Sequence, residues 1–382
     1  MLMFRGKVLI ALLIPLATIA LYALMRNSSS DPLENQKFCF NLEFLEEKEV
    51  ILSFGEITGG IHVPMAITPK LETPSQKPYG AHFIGELLLP HSVSFQNVEL
   101  QAKDGSGDLK VSLSGSLKFL DNDHFIASMT GRAVSEDSTT WKLSSYGQKG
   151  SCPGSEFVGS NYPKIAHNSV LPARKIARLS KFRSSAGHSA TDNVESCRSM
   201  KHYLETNFKK PEDARMQKVS SPINGQIVYI FDSQEDQYGQ DVVIQSTEQS
   251  AFKIRLYHLT LSPEFKPGDL VTSGQELGFV YARDLNEGEN PNNFKATMDV
   301  ELWVRRPEGT RLISFFEILD DAAFIQFEHA GLTQPWKEKL YLEHNDPQVL
   351  RYRCNDEQNP ARFTTQSPDR SNYFKLNQTT IY

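Results

Sequence analysis

The stretch "MDVELWV", Met298 to Val304, sets two carboxylates two residues apart, at Asp299 and Glu301, with Trp303 next in the same alternation. Residues at i and i+2 of an extended strand share a face, so both carboxylates come within reach of one cation or one proton, with the indole beside them. His258, in "LYHL", and His202, in "KHYLE", offer imidazoles. One imidazole with two carboxylates is a coordination set for manganese, magnesium, calcium or a two-carboxylate zinc site. Without metal, a histidine and an acid can move a proton. Exposed tryptophan beside carboxylates suits a sugar or a peptide held by stacking and hydrogen bonds. Each residue also has a plainer role open to it. Asp299 and Glu301 fit the wet face of an edge strand, His258 and Trp303 fit packed side chains, and His202 with Glu205 fits the outer side of a short helix.

The elements that must position these groups are strands. From about Phe38 to Gly150 the chain reads as short strands, and in "LKVSLSGSLKF" the apolar Leu109, Val111, Leu113, Leu117 and Phe119 alternate with lysine and serine. That is one apolar and one wet face, the signature of an antiparallel β-domain. From 153 to 196 the alternation is lost and the stretch is basic, which suits a linker that tethers or touches anionic polymer or lipid. Strands resume after Cys197, separated by Asn-Gly, Tyr-Gly and Pro-Gly-Asp turn signals. Gly268 and Gly274 are expected at positive φ, with Pro267 fixing the entry and Val271, Leu277 and Val280 facing a core.

Ahead of these lies "VLIALLIPLATIALYALM", preceded by Arg5 and Lys7. A positive flank before an apolar run predicts a signal anchor, or a signal peptide if it is cut, and no clean small-x-small cleavage pattern follows. The protein is therefore expected to be membrane-anchored and to face the periplasm or extracellular space, or to be secreted if the segment is cleaved. Four cysteines in an exported chain suggest disulfides, with Cys39 to Cys152 and Cys197 to Cys354 each bracketing one domain; buried free thiols are the alternative. A net charge of -6 gives no global attraction to nucleic acid, and no nucleic-acid partner is expected. Gly-x-Ser-x-Gly and phosphate-binding glycine loops are absent from the sequence.

The order "SPINGQIVYI", "LYHL", "KPGDLVTSGQELGFV" and a closing strand resembles the lysostaphin/LytM-type metallopeptidases, whose small β-sandwich barrel is called the duplicated hybrid motif. The matching segments are Pro222 to Val228, Tyr257 to Leu259 and Gly268 to Gly278, and the likeness covers roughly residues 197 to 306. The resemblance implies zinc held by a His and an Asp of an early His-x-x-x-Asp motif and by the second His of a late His-x-His. The first His of that pair and the Tyr-x-His-Leu histidine would assist a metal-bound water. Here the late motif falls on Asp299, Val300 and Glu301, and the early region offers His202 with Thr206 four residues on. Of the expected positions, only His258 matches outright.

Fold and function expectations follow. The chain is expected to be mainly β: a membrane segment (1–30), an antiparallel β-domain (31–152), a basic linker (153–196), a LytM-like β-sandwich barrel with a carboxy-terminal extension (197–356) and an irregular tail (357–382). His258 is the candidate catalytic residue, His202, Asp299 and Glu301 the candidate metal ligands, and Trp303 the candidate binding residue. The resemblance implies a divalent metal, zinc, if the site is intact, and none if it is degenerate; peptidoglycan or another envelope polymer or peptide is the implied partner. With so few ligands kept, binding or regulation at the cell wall or surface is the expected role. An active endopeptidase with an atypical His/Asp/Glu site, and a purely structural extracellular protein, are the alternatives.

Overall fold

The computed structural model describes residues between 37 and 377 with breaks, the larger ones at 42–48, 55–61, 70–80, 134–139, 285–293, 344–353 and 364–371. The expected anchor lies outside the described residues, as do Cys152 and Cys197 and the side chains of Cys39 and Cys354, and with them the expected disulfides. The described chain is mainly β and antiparallel, with few helices.

Eight strands form the amino-terminal unit: β1 (Lys37–Asn41), β2 (Glu49–Phe54), β3 (His62–Pro69), β4 (Ala81–Leu88), β5 (Ser92–Asp104), β6 (Gly107–Phe119), β7 (His124–Ala133) and β8 (Thr140–Lys149). Consecutive strands pair antiparallel, and β1 returns to β8 at Phe38↔Lys149 and Cys39↔Gln148, so the meander closes on itself. The alternation of β6 turns Leu113 and Leu117 inward, where Phe38, Phe119 and Phe125 meet with ring centroids 5.4–5.7 Å apart.

The stretch expected as a linker is packed. It carries β9 (Ile176–Ser180) and buries Ile165, Val170, Leu171, Ile176, Leu179 and Phe182. Apolar residues interleaved with the cations supply the inward side chains, while Arg178 reaches Glu205 at 2.6 Å. Composition registered the cations and hid the apolar period between them.

The remaining strands are β10 (His202–Thr206), β11 (Lys218–Ser220), β12 (Gly225–Ser233), β13 (Gln240–Ser246), β14 (Phe252–Leu261), β15 (Leu270–Val271), β16 (Glu276–Val280), β17 (Thr297–Arg306) and β18 (Gly309–Ile313). The ladder runs β12, β13, β14, β17, with β14 along one edge of β17 and β10 and β18 sharing the other. Gly268 and Gly274 take φ of +98° and +84°, and Val271, Leu277 and Val280 are buried, as the turn pattern required. β12 also pairs with β8, from Tyr229↔Ser145 to Ser233↔Trp141, so the two units share a sheet. They share a core as well: Phe38, Leu113 and Phe125 pack in one cluster with Val228, Tyr229, Val243 and Trp303.

This sharing decides the environment of β17. Met298, Val300, Leu302 and Val304 enter the larger core, while Trp303 on the other face enters the shared one. Asp299 and Glu301, on the Trp303 face, are also buried. The polar alternation of β17 marks two dry faces of different chemistry, and a wet edge is not what it encodes.

Candidate functional site

Three neighbouring strands build the site. β10 sets Tyr203 opposite Asp299, and β14 sets Tyr257 opposite Asp299 from the other edge, so one carboxylate lies between two phenols. Lys201, two residues before Tyr203, emerges on the same face. Its Nζ donates to Asp299 Oδ2 at 2.7 Å, lies 3.2 Å from His188 Nε2, and sits 4.8 Å and 4.3 Å from the ring centroids of Tyr203 and Tyr257. Both members of this ion pair are 1% exposed. Asp299 Oδ1 is buried and has no hydrogen-bond partner among the described residues.

Burial would raise the Asp299 carboxyl, but the adjacent ammonium outweighs it and holds the group at about 2. Burial likewise pulls Lys201 down, and Asp299 more than compensates, leaving the ammonium charged well above its ordinary range. Both groups are ionised across the physiological range.

His258 borders this pair. Its neighbour Tyr257 pairs with β17 and its other neighbour Leu259 pairs with β16, so the strand changes partner at this residue. The backbone makes that change with φ of +63° at His258, in the left-handed region that side chains with a Cβ seldom adopt. Tyr238 O lies 2.9 Å from Nδ1, and Nε2 lies 3.7 Å from Asp299 Oδ2. Burial lowers the imidazole pKa and the Asp299 carboxylate raises it by more, so the net shift is upward.

Glu301 is held by two neutral donors. Tyr257 OH donates to Oε2, and Trp303 Nε1 donates to Oε1 at 2.7 Å. Trp303 is 2% exposed, so its ring is packed and does not offer a face for stacking on a ligand. Beyond it, Arg255 donates to Asp241 at 2.7 Å and lies over the Tyr257 ring at 4.3 Å.

The structure thus brings Asp299, Glu301, His258 and Trp303 to one neighbourhood and leaves His202 out of it. His202 alternates with Lys201 and Tyr203 and points to the opposite face, where Nδ1 meets Ser180 O at 2.8 Å and Nε2 meets Ser314 Oγ at 2.7 Å. Rings of Phe182 and Phe316 pack on it, and burial pushes its pKa down to about 4. It is a neutral core histidine in a strand, and the short helix open to it in the sequence does not form.

Lys201 and His188 stand outside the residues that the sequence marks. Lysine is charged at neutral pH and is not a metal ligand there, so a lysine next to a histidine carries no metal-site signal. A usable signal was "GHSATD", where His188 and Asp192 stand at the His-x-x-x-Asp spacing. The structure sends Asp192 elsewhere: it accepts from Arg311 Nε at 2.8 Å and from the Leu312 backbone at 3.0 Å. The loop that presents His188 is pinned by the buried, bidentate Arg183 to Glu195 pair, both bonds 2.7 Å.

No protein-family model matches the chain, and no curated protein matches it. Several solved structures are similar to parts of it. One is assigned as a glycyl-glycine endopeptidase LytM from Ruminococcus gnavus, 16% identical over 31% of this chain, with a TM-score of 0.22; the match spans 44% of that protein. A second is the SpoIIQ-SpoIIIAH pore forming complex, 12% identical over 41% of this chain and 92% of the other, with a TM-score of 0.26. A third is a zinc containing peptidase from Vibrio cholerae, 10% identical over 72% of this chain and 86% of the other, with a TM-score of 0.24. At TM-scores this low, neither fold nor activity passes from these structures to this chain.

The residues present do not fit zinc. Catalytic zinc needs three protein ligands and an open position. Here Asp299 is committed to an ammonium, Glu301 to a phenol and an indole, and His202 to the opposite core. Among the described residues no group of three His, Cys, Asp or Glu side chains is arranged to hold a metal ion.

Proposed function

We propose that this chain is an envelope-facing protein in which a peptidase-like β-fold serves binding or regulation and does not hydrolyse. One observation supports this above the rest: the buried Lys201 and Asp299 pair places a fixed positive charge where a hydrolytic site would need an exchangeable metal and an open coordination position. An ammonium offers no coordination position for a water or a scissile carbonyl, and this one is buried and already paired with Asp299, so it does not stand in for a catalytic zinc. The partner class that goes with this role is an envelope polymer such as peptidoglycan or a peptide at the wall, reached by a chain anchored through its amino-terminal apolar run.

Metal analysis of the purified chain, run beside a cleavage assay on peptidoglycan and on glycyl peptides, tests the proposal. No stoichiometric metal, no cleavage and measurable sedimentation with wall polymer are the expected results. Cleavage that is lost in His258→Ala and restored by zinc would overturn the proposal in favour of an active endopeptidase.

A further inference from the structure

His167 stands between two carboxylates. Its Nδ1 lies 2.9 Å from Asp320 Oδ2, and its Nε2 lies 3.1 Å and 3.3 Å from the two carboxylate oxygens of Glu248. A neutral imidazole has one N–H, so it donates to one of these groups and turns a lone pair on the other; only the imidazolium donates to both. The contacts join elements distant in sequence. Asp320 caps the helix Asp321–His329 by accepting from Ala323 N at 2.7 Å. Glu248 sits in the β13–β14 turn and also accepts from Asn224 Nδ2 at 2.8 Å, while Asn224 O accepts from Thr247 N at 3.1 Å. The segment carrying His167 is fixed from the side: His167 N donates to Pro222 O at 3.0 Å, and Ala166 bridges Ile223 and Leu319. Among the described residues, Asp320 and Glu248 are the charged groups bonded to the ring. Lys164 on the same segment donates instead to Glu317 O at 3.0 Å, Asp321 makes no hydrogen bond or ion pair with the ring, and the β11–β12 connection adds only the neutral Pro222 carbonyl and Asn224 amide.

We propose that His167 is a proton-operated clasp: its imidazolium ties the β13–β14 turn to the start of the helix Asp321–His329, and loss of the proton frees the turn. The N–H left on the neutral ring stays with Asp320, the shorter and less exposed contact, and Glu248 is released. The hydrogen bond to Asp320, with that to Glu248 behind it, holds the imidazole pKa above its ordinary 6.5 against the opposing pull of burial. A raised histidine gives a tie that is fully present below pH ~6.5 and is lost as pH rises through the raised value. The ring is 39% exposed, so protons reach it from solvent. Ion pairs this open to water add little to global stability, and the effect is therefore local to the turn. The clasp shares no residue with the Lys201 neighbourhood, so it stands whether or not that site hydrolyses.

The test follows the His167 ring of the full native chain by NMR as pH is raised from 6 to 9, and the hydrogen-exchange protection of the Thr247, Glu248 and Gln249 amides alongside it. The ring is expected to titrate above 6.5, and protection of the turn, corrected for intrinsic exchange, to fall about threefold or more across the same transition. His167→Gln, which carries no charge, should leave the turn weakly protected at every pH. Glu248→Gln should lower the ring's titration point and remove the pH dependence of the turn, since an amide can meet either protonation state of Nε2. A ring that titrates at or below 6.5 overturns the proposal, as does turn protection that changes equally in the native and His167→Gln chains. Were His167→Gln not to fold, the native titration and the Glu248→Gln chain decide: pH-dependent turn protection that persists in Glu248→Gln overturns the clasp, and its disappearance supports it.

Discussion

Lys201 Nζ and Asp299 Oδ2 lie 2.7 Å apart with each side chain only 1% exposed, so neither charge has water to fall back on. Breaking such a pair from one side is far more costly than removing both members, because a lone buried charge remains. Lys201→Met is expected to lower stability by about 3–5 kcal/mol in denaturant unfolding. The double change Lys201→Met with Asp299→Asn should recover most of that loss. Equal stability of the single and double variants would show that the pair is not electrostatically coupled.

Acid stability should fall in two stages. His202 is held at about 4, below its ordinary 6.5, because burial disfavours the imidazolium. A histidine depressed in the folded state contributes stability that is full above its unfolded value and is lost as pH falls from about 6.5 to about 4, roughly 3 kcal/mol at 1.36 kcal/mol per unit. Asp299, held at about 2, adds a second loss below pH 4. Unfolding free energy measured from pH 7 to 3 should show the upper stage, and His202→Gln should flatten it while sparing the lower one.

His258 is expected to matter to the backbone as much as to the site. With φ of +63°, a β-branched residue is strained there, and His258→Val should cost about 1–2 kcal/mol, whereas His258→Asn, which tolerates the left-handed region, should cost less. The imidazole is raised above its ordinary pKa by Asp299, so its charge adds stability that is full below pH ~6.5 and fades as pH rises through the raised value. The stability gap between wild type and His258→Asn should therefore narrow on the alkaline side. A pH-independent gap would assign the whole effect to the backbone.

Removing residues 1–152 should not yield a folded carboxy-terminal unit. It would strip the partner from one edge of β12 and expose Tyr229 and Trp303, now 0% and 2% accessible. Circular dichroism and sedimentation of the truncated chain should report aggregation or lost tertiary structure. A monodisperse, cooperatively melting fragment would show that the shared core is dispensable.

Much of the framework was legible in the sequence. The β6 alternation, the glycines of the β15 to β16 turn and the buried set Val271, Leu277 and Val280 all followed from strand period and turn chemistry, which are local properties. So did the company of Asp299, Glu301 and Trp303, since i and i+2 on a strand must share a face. The sequence was silent on what covers that face. β17 looked half wet because its second layer comes from the shared core and from Lys201, partners that lie about a hundred residues or more away in sequence. His202 misled because proximity in sequence to a site says nothing about which face of β10 it takes, and Lys201 beside it took the face that counted.

The covering of β17 on both sides has a consequence for the history open to this protein. Histidine at position 299 would collide with the needs of Lys201, and histidine at 301 would orphan the donors of Tyr257 and Trp303. Each replacement is harmful until its neighbours have changed too. The two positions are thus coupled to Lys201, Tyr257 and Trp303, so a change to histidine at either one alters the partners of a buried group as well as the strand itself.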